Sequence, residues 1–567
     1  MKKPPLYPIR PISDLSDLLQ QASQRYHSRI ALQSKKDGAW IPLTYRELGE
    51  RVAQSAAGFS SLGLKKGDRV AVLSPNRTEW VLSYLAAVTS GLVAVPIDKD
   101  LTIGEICQVL NFSEPRLVIC SKEYIDSLRE HRSQVPSVEK IISMEEERAG
   151  ADWSFPEFLR VGGDALAEGQ DQLQDSKVTA EDLAAIIFTS GTTGGSKGVS
   201  LSHGNLAANI MATSQHVSIE EGVLLSVLPL HHTYECMAGF LLALYQGCTI
   251  CHAESLRRIP ENLREMRPTV VIGVPLLFNG LYRKIENGIK QKGELKFRVA
   301  KGVAALLEGL LNLNIRRSLF KPIHDQLGGR LDLCISGGAA GNPEIGKAFR
   351  ELGINFIQGY GLTESSPIIA VNRVDCLKDD SVGLPLEGLD LKIVDEEIRV
   401  RGPSVMAGYY LNEEATRESL HDGWLLTGDL GYIDEDGFLY VSGRKKSVIV
   451  TPNGKNVYPE EVEAVLDQSP YILESLVWGG PEEDPARVAV QAIVVPCTET
   501  FNEILGPSQY GQNKIKEVIG QEIKARCKEL ARYKRVKSFV LRSEEFERTT
   551  TRKIKRYLYT ESLTKEA

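Results

Sequence analysis

The chain reads as an α/β protein with a large N-terminal domain of layered, largely parallel sheets and helices, followed by a small α+β C-terminal domain. Three observations predict this. Short β-branched apolar runs recur: RVAVLS (69–74), LVAVPI (92–97), RLVIC (116–120), AAIIFTS (184–190), TVVIGV (269–274), LDLCISGG (331–338) and INFIQGYG (354–361). Amphipathic stretches of helical length lie between many of them, as at 79–88 and 205–215, and strands alternating with helices build parallel sheets. After about residue 383 the texture changes. There GYIDEDGFLYV (431–441) reads as a hairpin, and VAVQAIVVP (488–496) and NKIKEVIGQEIKARCKEL (513–530) read as a strand and a helix.

Bulk composition narrows the class. The 567 residues are 42% hydrophobic and 25% charged, with a formal charge of −7. That is an ordinary globular balance, and it lacks the basic excess of a nucleic-acid binder. Nine cysteines, an odd number, give no disulfide framework and point to a reducing compartment, the cytoplasm. Cys248 and Cys251 in GCTIC have no second pair at zinc-binding spacing and read as buried thiols. The longest apolar segment, 81–97, is interrupted by Ser83, Tyr84, Thr89, Ser90 and Gly91. A spanning helix wants about 20 mostly apolar residues, so a core helix followed by a strand is expected. MKKPPLYPIR at the start has no apolar stretch behind its lysines, so no secretory signal is expected.

The stretch IIFTSGTTGGSKGVSLSHGN (186–205) is built for an anion. Glycines let backbone N–H groups turn toward phosphate, while hydroxyls and a lysine add donors and charge. The loop follows an apolar strand, where ligand loops of α/β sheets lie, and Ser202 is placed to cap the next helix. The lysine is preceded by serine and followed by glycine, so neither the usual P-loop nor the dinucleotide pattern fits. Taken alone, the stretch could also be a plain turn.

Other segments occur with it in one order: ISGGAA (335–340), QGYGLTESSP (358–367), GWLLTGDLGY (423–432), GRKKS (443–447) and RTTTRKIKR (548–556). Together the set resembles the adenylate-forming superfamily of acyl-CoA synthetases, adenylation domains and luciferases over nearly the whole chain. FKPIHDQLGGRLDLCISGGAA (320–340) and LPLHHTYE (228–235) resemble, more narrowly, the long-chain fatty acyl-CoA synthetases.

The resemblance implies an ATP-dependent ligase that activates a medium- to long-chain fatty acid as acyl-AMP and passes it to coenzyme A. Thr189, Ser190, Gly191, Thr192, Thr193, Gly194 and Lys197 would cradle the β- and γ-phosphates, with Ser196 where the family usually has proline. Gly338 and Ala339 would line the adenine pocket. Gly359, Tyr360 and Gly361 would belong to the nucleotide site, with Tyr360 stacked on adenine. Thr363 would donate to the α-phosphate and Glu364 would hold Mg²⁺. Asp429 would accept from the ribose hydroxyls, and Arg444 would contact ribose or phosphate. Lys553 would bridge the acyl carboxylate and the α-phosphate, with Arg552 where the family has glycine. Lys446 matches the hinge, dividing a large domain (1–446) from a small mobile one (447–567).

His232 would lie beside the acyl carboxylate, with His231 the weaker candidate of the pair. Segments 236–245 and 271–278 are candidate acyl lining, equally readable as core. The leucine-rich stretch 303–320 reads as a helix packed on the large domain or as a peripheral membrane contact. The basic run of Arg548, Arg552, Lys553, Lys555 and Arg556 could instead be solvated, or meet coenzyme A phosphates. A carrier-protein thiol is the alternative acyl acceptor. A non-catalytic acyl or nucleotide sensor would be expected to lose Glu364, Asp429 or Lys553, and all are present.

Overall fold

The computed structural model describes residues 4–169, 177–189, 197–292, 294–311, 315–451, 455–481, 488–506, 511–548, 554–556 and 558–560. It divides into two compact units. The first takes Met1–Gly338, Glu344–Asp390 and Val400–Leu425, and the second takes Ala339–Pro343, Leu391–Arg399 and Leu426–Ala567. The last division falls ahead of the expected boundary after Lys446. The reason is local: Thr427 Oγ1 donates to Ile398 O at 2.7 Å and Gly431 N to Glu396 O at 2.8 Å. These bonds tie 391–399 to the hairpin, so both group with the C-terminal unit.

The β-branched apolar runs read from the sequence all form strands. One sheet of the first unit runs Gly408–Tyr409, Lys197–Ser202, Leu183–Thr189, Val93–Pro96, Arg69–Leu73, Leu117–Cys120, Lys140–Ser143, Trp153–Ser154. The other runs Leu384–Pro385, Ile368–Val371, Asn355–Gly361, Leu333–Ser336, Val270–Gly273, Val223–Ser226, Thr249–His252, Ile30–Lys36, Ala39–Thr44. Their interior pairings are parallel, and antiparallel pairs occur toward the ends. Strands such as Val93–Pro96 and Leu333–Ser336 are buried throughout, as parallel strands covered on both faces must be.

The interrupted apolar segment is the helix Thr78–Thr89 followed by the strand Val93–Pro96. Residues 80–88 of that helix are all buried, which suits a helix apolar on every side. Trp80 stacks on Tyr84 at 5.3 Å, and both meet the edge of Phe240. The core around them joins residues of both sheets, among them Val70, Ala185, Leu224 and Ile250.

The parallel strands of the second sheet end together. Directly after Val223–Ser226, Val270–Gly273, Leu333–Ser336 and Asn355–Gly361 come LPLHHTYE, VPLLF, the glycines of ISGGAA, and LTES. Loops at the carboxyl ends of such strands are where α/β sheets bind ligands.

The second unit carries the expected hairpin, Trp424–Ile433 with Leu439–Arg444, in a register that pairs Asp429 with Arg444. Its own sheet sets Ile472–Pro481 antiparallel and Ser538–Leu541 parallel to Val488–Pro496. Helices Pro459–Leu466 and Gln512–Arg526 contribute Val462, Leu466, Ile519 and Ile523 to the same small core as Val490, Ala492 and Val494. All nine cysteines are free and buried, Cys248 and Cys251 among them. No helix among the described residues is long and apolar enough to cross a membrane.

Candidate active site

The strands that flank the glycine-rich segment, Leu183–Thr189 and Lys197–Ser202, are antiparallel partners. Thr189 and Lys197 are cross-strand partners next to that segment, with Thr189 Oγ1 donating to Lys197 O at 3.5 Å. Ser190, Gly191, Thr192, Thr193, Gly194 and Ser196 lie outside the described residues. The chain then enters the helix His203–His216, which Ser202 caps as expected: Asn205 N donates to Ser202 Oγ at 3.1 Å and Ser202 N to Asn205 Oδ1 at 2.9 Å.

Lys197 leads directly to Glu364. Its ammonium lies 5.0 Å from the centre of the Tyr409 ring, and the Tyr409 hydroxyl donates to Glu364 Oε1 at 2.8 Å. Tyr409 is on the short strand Gly408–Tyr409, paired with Val199 just beyond Lys197. Thr363 and Glu364 form a tight turn, Thr363–Ser365, after the strand Asn355–Gly361. Thr233, from the HHTYE segment, donates to Thr363 Oγ1 at 3.3 Å. The hydroxyls of Thr363 and Thr233, the Glu364 carboxylate, the Tyr409 phenol and the Lys197 ammonium are thus one connected group, with His232 beside Thr233 in the chain.

Two asparagines of the helix His203–His216 hold this group's backbone. Asn209, fully buried, donates to Ser365 O at 3.2 Å and Ile368 O at 2.7 Å, and accepts from Ile368 N at 3.3 Å. Asn205 Nδ2 donates to Pro403 O at 2.7 Å and Val405 O at 2.9 Å. Met406 N then donates to Glu364 O at 2.8 Å. Gly361 has no room for a side chain, since a Cβ would lie 1.9 Å from Pro367 O. Gly359 and Tyr360 lie on the same strand, opposite Val371 and Ala370.

Gly338 has φ +82°, a left-handed conformation that favours glycine. Ala339 opens a short stretch assigned to the second unit. In that unit Asp429 is 4% exposed, and Arg444 Nε donates to its Oδ1 at 2.7 Å. The two residues expected to meet a nucleotide therefore pair with each other. Lys446 is exposed in the turn Lys445–Ser447.

Lys553 and Arg552 lie outside the described residues. Among their neighbours, Arg548 is paired with Glu474, and Arg556 with Glu463 while donating to Val477 O at 3.1 Å. For these two arginines the picture of a solvated basic run does not hold: internal carboxylates take them up.

The HHTYE segment opens a π-helix, Glu235–Leu241, a distortion found often at functional sites. The segment 236–245 is wholly buried. Glu235 is buried as well, and desolvation pushes its carboxyl up to about 8, so it holds its proton at neutral pH. Ser226 Oγ donates to Glu235 Oε1 at 2.6 Å. His231 is buried against His232, with ring centroids 4.4 Å apart, and burial pushes its imidazole down to about 3. The helix Glu294–Leu311 packs Phe297, Ala300 and Ala304 inward but leaves Leu295, Val299, Val303 and Leu306 exposed.

Sequence reasoning missed Tyr409, Asn205, Asn209, Thr233 and Glu235. Each is an unremarked polar residue in its own segment, and only the folded contacts distinguish it.

Fold and ordered motifs define an AMP-binding enzyme. The family model described by that name matches residues 19–410, and the chain belongs to this family. The long-chain-fatty-acid–CoA ligase FadD15 of Mycobacterium bovis is 32% identical over 82% of this chain and 79% of its own. The chloroplastic long-chain-fatty-acid–[acyl-carrier-protein] ligase AEE15 of Arabidopsis thaliana is 27% identical over 90% and 79%. In fold, the chain is similar to the anthranilate CoA ligase AuaEII in complex with anthranoyl-AMP, with TM-score 0.77 and 23% identity over 100% of this chain and 99% of that one. ATP-bound MatB from Rhodopseudomonas palustris gives TM-score 0.73 and 24% identity over 97% and 99%.

Proposed function

We propose that the protein activates a medium- to long-chain fatty acid with ATP, forming acyl-AMP and pyrophosphate, and transfers the acyl group to coenzyme A with release of AMP. The observation that carries this reading is the connected group Lys197–Tyr409–Glu364–Thr363–Thr233, which gathers a cation, a carboxylate and hydroxyls at the carboxyl ends of the strands. Family membership and the long-chain ligase relatives support the same reaction.

A carboxylate is a poor electrophile, because its charge is delocalised and its leaving group is oxide. Attack on the α-phosphorus replaces that leaving group with AMP. Negative charge grows at phosphorus as pyrophosphate departs, so catalysis is largely positioning plus fixed positive charge. In this reading Lys197 and the loop hydroxyls from Thr189 onward hold the phosphates, Thr363 donates to the α-phosphate and His232 orients the acyl carboxylate. Asp429 and Arg444 hold the ribose, and Lys553 bridges the two reacting groups. Small-domain movement about Lys446 separates the half-reactions.

Glu364 fits a magnesium ion. A carboxylate offers more lone pairs than the one Tyr409 occupies, and Mg²⁺ prefers carboxylate and phosphate oxygens. Bound with ATP, it would neutralise phosphate charge. The exposed Leu295, Val299, Val303 and Leu306 support contact with a membrane surface, and a cytoplasmic location is part of the same reading.

The AEE15 relative favours a carrier-protein thiol as the second reading, and coenzyme A is tested against acyl carrier protein as acceptor. The main test is acid-dependent release of pyrophosphate and AMP across acids differing in length and ring content. Fatty chains are expected to be preferred, and best activity with an aromatic or amino acid refutes the substrate. Lys553→Ala is expected to slow adenylation by about 10²–10³-fold, the cost of a lost transition-state donor, while sparing thioester formation from supplied acyl-AMP. Equal loss in both halves refutes the role given to that lysine.

A further inference from the structure

We propose that Asp98, His231 and His232 bind a divalent ion of the zinc class, and that occupancy of this site inhibits acid activation. These residues come from different sheets. Asp98 follows the strand Val93–Pro96, and the histidines follow Val223–Ser226. Their ligand atoms all lie within 4.8 Å of one another.

The observation that turns a cluster into a site is His231 Nε2. It belongs to a residue 4% exposed, has no hydrogen-bond partner among the described residues, and faces Asp98 Oδ1 at 3.4 Å. That separation suits two ligands of one tetrahedral ion: bonds of about 2.0–2.1 Å at the tetrahedral angle set ligand atoms about 3.4 Å apart. An octahedral ion with similar bonds would want adjacent ligands about 3.0 Å apart. Two imidazoles also select against magnesium, which takes oxygen, so the site does not draw on the ion carried by ATP.

The frame is already set. Asn76 accepts from Leu230 N at 2.9 Å and donates to Leu228 O at 2.6 Å, fixing the loop that presents the histidines. Asp100 N donates to Asp98 Oδ1 at 2.8 Å and orients the carboxylate, as outer-shell bonds orient metal ligands. Three protein ligands leave the fourth position open. The inhibitory half of the proposal rests on the assignment of His232 to the acyl carboxylate, since an ion that takes His232 removes it from the acid.

The test uses the tag-free full chain titrated with Co²⁺, then displaced with Zn²⁺. One equivalent of cobalt is expected to give the intense visible bands of a tetrahedral site, and zinc to abolish them. Asp98→Asn, His231→Gln and His232→Gln, each checked for native circular dichroism, should weaken binding more than about tenfold. Half-exposed His232 gives the variant safest for folding. Absence of the bands, or equal affinity in all three variants, overturns the site. Zinc is further expected to inhibit acid-dependent pyrophosphate release in competition with the fatty acid. If zinc binds with the expected dependence on the variants and does not inhibit, the metal site stands and the role given to His232 fails.

Discussion

Two regions of the molecule, the segment around Glu364 in the first unit and the ion pairs of the second, hold charge in different ways, although the first unit has ion pairs elsewhere, such as Arg77 with Glu145 and Arg116 with Asp68. In the first, the segment bearing Glu364 is pinned by neutral amides: Asn209 to Ser365 and Ile368, and Asn205 to Pro403 and Val405. In the second, charges are answered by opposite charges: Asp429 with Arg444, Glu474 with Arg548, Glu463 with Arg556. An amide fixes backbone without cancelling charge. An ion pair fixes its own partners, so any phosphate that recruits Arg444 competes with Asp429. The first device suits a rigid binding floor, and the second suits groups whose engagement changes during a cycle.

Breaking the ion-pair device should give the largest effect on stability. Glu474 is 5% exposed, accepts from Phe546 N at 2.7 Å and pairs with Arg548. Glu474→Ala removes the carboxylate that Arg548 and Phe546 N both use, and breaking a largely buried pair costs about 3–5 kcal/mol. Calorimetry of the full chain should show the loss in a transition assigned to the second unit, with the first unit's transition unmoved. A single transition shifted as a whole would show that the units do not respond separately. Breaking the amide device should cost less. Asn209→Ala strands buried backbone groups at about 1–3 kcal/mol each where no water replaces the amide. Urea unfolding checks the stability, and a parallel fall in pyrophosphate release checks that the loop 363–366 has lost its place.

Much of this was legible beforehand, for a physical reason. Strands buried on both faces must be apolar runs, so RVAVLS, LVAVPI and INFIQGYG could be read as strands without knowing their partners. Ser202 could be read as a cap because its chemistry is local. The antiparallel return at Lys197–Ser202 was not legible, since the loop before it looks the same whether the chain crosses over or turns back. Asn209 and Tyr409 were not legible because their partners lie 156 and 45 positions away. The self-pairing of Asp429 and Arg444 was hidden for a similar reason: a register, not a motif, makes them neighbours.

Tyr409 sharpens the comparison with the smallest effect, because it joins the two devices in one residue. Its ring faces the Lys197 ammonium at 5.0 Å, a charge–quadrupole contact, while its hydroxyl makes a neutral-to-charged hydrogen bond to Glu364 at 2.8 Å. Tyr409→Phe keeps the first contact and removes the second. A hydrogen bond to a charged group is worth about 1.5–3 kcal/mol when fully buried. The half-buried setting of Tyr409 lowers that toward about 1.4 kcal/mol, or tenfold. The loss should appear as about a tenfold rise in the Mg²⁺ concentration needed for half-maximal pyrophosphate release, with little change in the fatty-acid KM. Tyr409→Leu removes the ring too, and should add a weaker apparent affinity for ATP through Lys197. If Tyr409→Phe and Tyr409→Leu behave alike, the ring contact contributes nothing, and the lysine is held by the loop alone.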